Sequence, residues 1–238
     1  RWGVPRVVLS RRSGRPGDNA VVYSRRRRRM SASATRSMCG MCGIVGYVGP
    51  RESQPILIAG LSRLEYRGYD SAGVAVVGIA VIDGDGHLGM RKRAGKLGVL
   101  RDDLSEHPLP AGTTGIGHTR WATHGGPTDA NAHPHLADDD KLALIHNGII
   151  ENFAAIKNEL REEGYEFRSE TETEVAAVLL GREYRAHGGD LVAAFRSVVR
   201  RLDGAFTLLA MHRDNPGLVV GARRNSPLVI GLGEGENF

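Results

Sequence analysis

Cys42-Gly43-Ile44-Val45-Gly46-Tyr47-Val48-Gly49 is the stretch on which the fold turns. It is a short apolar run punctuated by glycines, which suits a buried strand. Upstream the character is different. Residues 1–40 hold the arginine run Arg25–Arg29 and the polar tract SASATRS, with little apolar periodicity. They carry 11 basic residues against one acidic, which leaves 21 basic against 26 acidic in the rest. The overall charge of +5 therefore belongs to a tail, and the body is mildly acidic. That body gives no charge argument for nucleic acid binding. The first residue is Arg1, with Met30, Met38 and Met41 downstream. An over-extended reading frame or a fragment would account for this. Residues 1–41 are therefore read as a disordered or extraneous basic extension, and 42–238 as one domain. The alternative for the tail is a basic arm against an acidic surface.

Downstream of the opening strand, Ser53 and Pro55 open a helix with Leu57, Leu61 and Leu64 on one face. SAGVAVVGIAVID (71–83) reads as one or two strands ending at the turn Asp83–Gly86, and HLGMRKRAG (87–95) as the returning hairpin partner. TTGIGHTRW (113–121) is a further strand, followed by a long polar loop to Asp140. KLALIHNG (141–148) is a strand, and ENFAAIKNELREEG (151–164) a helix stopped by Gly164. Helices follow at 172–185 and 190–201, then closing strands in AFTLLAM, GLVVGA and PLVIGL. Strands and helices do not alternate, which argues against a doubly wound parallel sheet. Two stacked sheets with helices outside, an α+β arrangement, fit the order better.

The sequence contains no apolar run of about 18 residues or more that could span a membrane, and no secretory h-region near its start. Cys39 and Cys42 are the two cysteines, too few for a disulfide framework. This points to a reducing compartment, the cytoplasm.

Cys42 is the candidate nucleophile. A cysteine attacks carbonyls as its thiolate and needs a base. Removal of everything through Met41 would put an α-amino group on the same residue, and such a group has an ordinary pKa of about 7.7 to 8.0. The alternative is a buried core thiol at the head of a strand. Acyl transfer also needs donors for an oxyanion. Asn147 and Gly148, ending a strand, could supply a side-chain amide and a backbone N–H; the same Asn-Gly pair is also a strong turn signal. Arg120 could grip a carboxylate through two parallel hydrogen bonds, with Trp121, Thr123 and His124 shaping that wall, or it could form a surface ion pair. Glu172 could hold an ammonium group. It could equally belong to a capping box, for both Ser169–Glu172 and Thr171–Glu174 have the right spacing. His118, His124, His133 and His135 match no zinc spacing, so no metal is expected and they read as polar loop residues, His133 near the site.

Taken together, CGIVGYVG, LEYRGYDSAG, GHTRWATHG, NAHPH, HNGIIEN and SETETEV resemble the glutaminase domain of the glutamine–fructose-6-phosphate aminotransferases, a class II glutamine amidotransferase domain. The resemblance runs from Met41 to Phe238, with the motifs in order. It implies the four-layer αββα sandwich of the N-terminal-nucleophile hydrolases. It implies Cys42 as N-terminal nucleophile, Asn147 and Gly148 as the oxyanion hole, and Arg120 on the α-carboxylate of L-glutamine with Thr123 and His124 beside it. Trp121 would help close the site, and Arg67 and Asp70 would support it. No cofactor is implied. Ammonia from a γ-glutamyl thioester would pass to a sugar-isomerase domain that binds fructose 6-phosphate, absent from this chain, to make glucosamine 6-phosphate; the full-length protein would be a homodimer.

Three departures stand out. Residues 1–41 precede the nucleophile and would block its amine. Glu172 stands where the family pattern has Asp. The segment Val76–Gly95 is a few residues longer than the pattern. Three other readings compete: a class II amidotransferase making phosphoribosylamine or asparagine, a thiol–disulfide protein using Cys39-Gly-Met-Cys42, and a nucleic-acid-binding protein using the Arg tail. Against the second, an Arg/Ser tract precedes the pair and a strand follows it, where redox pairs sit between a strand and a helix.

Overall fold

The computed structural model describes residues 42–65, 75–83, 85–121 and 125–238, and the backbone of 6–10. Two antiparallel sheets form the middle of the molecule. One has four strands in the order β2 (Gly43–Val48), β5 (Gly112–Trp121), β3 (Ala75–Asp83), β4 (Leu88–Ala94). The other has five, in the order β1 (Arg6–Ser10), β9 (Leu218–Arg224), β8 (Gly204–His212), β7 (Leu142–Ile150), β6 (His135–Ala137). Helices α1 (Ser53–Glu65) and α2 (Leu97–Glu106) cover the first sheet, and α3 (Phe153–Glu162), α4 (Glu172–Ala186) and α5 (Leu191–Arg201) cover the second.

Four layers require three cores, and three are present. Tyr47, Leu57, Leu61, Val81, Leu97, Leu100 and Leu104 pack under α1 and α2. Val48, Ala80, Ile82, Ile116, Ala143, Ile145, Leu209, Met211 and Val219 fill the space between the sheets. Leu142, Leu144, Phe206, Leu208, Ala210, Val220 and Ala222 meet the inner faces of α3–α5. Successive strand residues point to opposite faces. Along β7, Leu142 and Leu144 therefore serve the helix side while Ala143 and Ile145 serve the inter-sheet core. This explains the unbroken apolar runs: with both faces covered, neither parity has to be polar.

The expected αββα architecture is observed. Several local readings are not. Asn147-Gly148 is no turn: β7 runs on to Ile150, with Asn147 opposite Thr207 and Gly148 opposite Phe206. The extended geometry holds because Gly148 takes φ +120°, where a Cβ would collide with the Ala205 carbonyl. PLVIGL forms no strand; residues 227–231 are irregular and Leu232 makes one isolated bridge to Asn237. Helix α2 went unread although Leu97, Leu100 and Leu104 share a face, because Lys96 provides no side-chain cap and Gly98 interrupts the pattern. The loop to Asp140 contains the short strand β6, hydrogen-bonded to β7. Within the segment read as disordered, Arg6–Ser10 pairs antiparallel with β9 at the edge of the five-stranded sheet.

Candidate active site

β2 starts one residue after Cys42. Gly43 sits opposite Thr119 of β5, and its N–H donates to Thr119 Oγ1 at 2.9 Å. A Cβ at Gly43 would lie 2.8 Å from that oxygen and from Leu64 Cδ1, so only glycine lets the chain approach here. The same register, carried one step back, sets Cys42 across from Arg120. On β5 the alternation puts Ile116, His118 and Arg120 on one face, and Ile116 belongs to the inter-sheet core. Arg120 is thereby turned into the sandwich and is 5% exposed, which excludes the surface ion pair. Burial lowers its guanidinium from the usual value, while the charges of Cys42 and Glu172 draw it back up.

β7 reaches the same place from the other sheet. Asn147 shares parity with Ala143 and Ile145, faces the four-stranded sheet, and donates its Nδ2 to the Cys42 carbonyl at 3.2 Å. A side-chain amide carries two N–H donors, and this bond uses one. His146, of opposite parity, faces α4. Its Nδ1 lies 3.1 Å from Thr173 Oγ1 and 4.0 Å from Glu172 Oε1.

The head of α4 resolves the two possible capping boxes. Thr171 is the N-cap, accepting the Glu174 N–H at 3.3 Å. The Glu174 carboxylate turns back to accept the N–H groups of Arg168 and Ser169 at 2.8 and 2.7 Å. Capping is thus the work of Thr171 and Glu174. Glu172 occupies the first helical position, buried beside His146, where the helix N-terminus favours negative charge.

Of the histidines read as polar loop residues, His118 and His135 stand on β5 and β6, His133 is in a loop but buried, and His124 lies outside the described residues. His118, His133, His135 and His146 are all buried, and the ring of His133 lies 4.5 Å from His118, 5.3 Å from His135 and 6.4 Å from His146. They form a seam joining β5, β6, β7 and the segment before β6. Burial pushes the imidazoles of His118 and His146 down to about 3, and those of His133 and His135 well below their usual value. They are neutral at physiological pH, so the His146–Glu172 approach is not an ion pair. No group of three or more His, Cys, Asp or Glu among the described residues could hold a metal ion.

Cys42, Asn147, Gly148, Arg120, Glu172 and His133 are thus gathered where the two sheets meet the head of α4. Trp121 ends β5, with nothing described of its side chain, and Arg67, Asp70, Thr123 and His124 lie outside the described residues. The sequence reading missed Thr119, which fixes Gly43, and His146, which stands beside Glu172; each adjoins a residue it had singled out.

Residues 118–238 match a model of the glutamine amidotransferase domain. The chain belongs to that family. Over 201 residues it is 70% identical to the glutamine–fructose-6-phosphate aminotransferase (isomerizing) of Leifsonia xyli subsp. xyli and 65% identical to that of Streptomyces coelicolor. Each alignment covers 84% of the chain and 31% of the relative, so the chain spans about a third of their length. Among solved structures, the allosteric regulatory enzyme of purine biosynthesis superposes with a TM-score of 0.61 at 27% identity, over 76% of this chain and 41% of that one. The chain is thus far more similar in sequence to these aminotransferases than to that enzyme of purine biosynthesis. No helix among the described residues is long and apolar enough to cross a membrane.

Proposed function

We propose that this chain is the glutaminase half of an isomerising glutamine–fructose-6-phosphate aminotransferase, acting in the cytoplasm, with Cys42 as its N-terminal nucleophile. The observation that carries this reading is the bond from the Asn147 amide to the Cys42 carbonyl, which ties the nucleophile's backbone to the strand holding the oxyanion donors. Removal of residues through Met41 frees an α-amine on Cys42. That amine takes the thiol proton through a water, and the sulfur attacks the γ-amide carbon of glutamine. The carbonyl oxygen becomes an oxyanion, stabilised by the second Nδ2 hydrogen of Asn147 and the N–H of Gly148. Collapse of the tetrahedral species breaks the C–N bond, and the amine returns its proton to the departing ammonia. Water then hydrolyses the γ-glutamyl thioester, giving glutamate and restoring the thiol.

Arg120 pairs with the α-carboxylate, for which a buried guanidinium is suited. Glu172 receives the α-ammonium at the mouth of α4. Trp121, Thr123 and His124 close the wall beyond Arg120, and Arg67 and Asp70 support it. Glu172 carries one methylene more than the family's Asp, which shifts the carboxylate and weakens glutamine binding. In the complete protein the ammonia passes to a sugar-isomerase domain that binds fructose 6-phosphate, and two such chains form a homodimer.

The test compares protein beginning at Cys42 with protein retaining Met41, measuring glutamate and ammonia. Hydrolysis is expected from the first form alone. Equal rates from both would remove the α-amine from the mechanism, and full activity in Cys42→Ser would remove the thiol.

A further inference from the structure

The two groups assigned to the amino-acid head of glutamine sit on elements that share no sheet. Arg120 is near the end of β5, and Glu172 opens α4 on the far side of the five-stranded sheet. A ligand with a carboxylate and an ammonium on the same carbon demands a fixed separation between them. We infer that Asn131 is a positioning residue for this head group, joining the chain that leaves Arg120 to the chain that enters Glu172. The inference rests on the function proposed above and concerns the same site.

Asn131 is 3% exposed although it lies in an irregular segment. Its Nδ2 donates to the Gly126 carbonyl at 3.1 Å and to Glu170 Oε2 at 3.0 Å, and its Oδ1 accepts the Glu170 N–H at 3.0 Å. Gly126 lies six positions after Arg120, and Glu170 two positions before Glu172. One side-chain amide thus bridges both approaches to the site. The fit is close: at Gly125, with φ +74°, a Cβ would come 2.7 Å from Asn131 Nδ2 and 3.1 Å from Glu170 Cβ.

The bridge is itself anchored to a third element, the edge strand β4. Lys92 Nζ donates to the carbonyls of Ala132 and Ala130 at 2.9 and 3.3 Å, on either side of Asn131. The Ala94 N–H donates to Asp129 Oδ1 at 2.5 Å. Segment 129–132 is therefore fixed to the four-stranded sheet, and Asn131 carries that position across to α4. No other residue type of this size donates and accepts at once in this way. Aspartate would lose both donors and set its carboxylate against that of Glu170.

The experiment measures glutaminase kinetics of the processed enzyme. Asn131→Ala is expected to raise the glutamine KM about tenfold, a loss of roughly 1.4 kcal/mol in binding, with kcat much less affected. Asn131→Asp should raise KM further. Adding Glu170→Gln to Asn131→Asp restores an amide–carboxylate pair with the donor on the other side, and should return KM most of the way to that of the parent enzyme. A merely structural role would lower the melting temperature without this rescue. A KM unchanged in Asn131→Ala, or no recovery in the double variant beyond Glu170→Gln alone, would overturn the inference while leaving the proposed function standing. A parent enzyme that hydrolyses no glutamine would instead remove the function itself.

Discussion

Two interiors of this molecule are equally buried and unlike in chemistry. Beneath α3–α5 the core is Leu142, Leu144, Phe206, Leu208 and their neighbours, apolar but for Tyr184 at its edge. A few residues further along β7 the interior becomes His118, His133, His135 and His146, together with Arg120 and Glu172. Both ring nitrogens of His118 and His133, and Nε2 of His146, have no hydrogen-bond partner among the described residues. Burying polar groups in this way costs stability. The first interior follows from patterning and holds the fold. The second sets neutral imidazoles around Arg120 and Glu172 at the candidate site, which is where a fold tolerates such a cost.

The comparison breaks most sharply at Cys42, the proposed nucleophile. Cys42→Ala should lower glutamine hydrolysis on the order of 10⁴-fold or more, with the melting temperature nearly unchanged; steady-state ammonia release beside a thermal melt tests both halves. The apolar interior should behave in the opposite way. Leu208→Ala, at a fully buried position, should cost about 2–5 kcal/mol of stability, with KM for glutamine in the surviving folded protein close to that of the parent. Denaturant unfolding and kinetics on the same sample decide it.

The histidine seam predicts an acid limit that the leucine core lacks. Its imidazoles have folded-state values depressed below the unfolded value of about 6.5. Below that pH the unfolded chain takes up protons that the folded chain refuses, so stability is retained above about 6.5 and falls as pH drops toward about 3 for His118 and His146. The slope should approach 1.4 kcal/mol per pH unit, roughly, for each such histidine. Urea midpoints measured down a pH series test this; a flat series would mean the seam is hydrated or already charged. The smallest effect belongs to Glu172→Asp, which should lower the KM for glutamine while leaving kcat near that of the parent; an unchanged KM would mean that Glu172 already reaches the ammonium as well as the shorter side chain does.

Much of the fold was legible because covering both faces of a sheet leaves apolar runs that are hard to miss, as in Gly43–Val48 and Leu142–Ile145. The α3 stop at Gly164, with φ +91°, was legible from composition. Less legible were α2, whose first turn lacks a cap, and β6, three residues long inside a polar loop. Asn147-Gly148 misled because a sequence pair reports only what glycine allows, and here the neighbouring strand β8 determined that the positive φ serves a straight strand rather than a turn.

The sequence by itself determined the layer order, since apolar periodicity and local backbone preferences act within a few positions of each residue; the candidate nucleophile and site residues came from the resemblance of its motifs to the amidotransferase family. Tertiary structure alone decided which Thr-Glu pair caps α4, that four dispersed histidines share one buried seam, and that Asn131 bridges two segments nearly 40 residues apart. Those outcomes depend on burial and on partners brought together across the sandwich, and neither is encoded in any short window of chain.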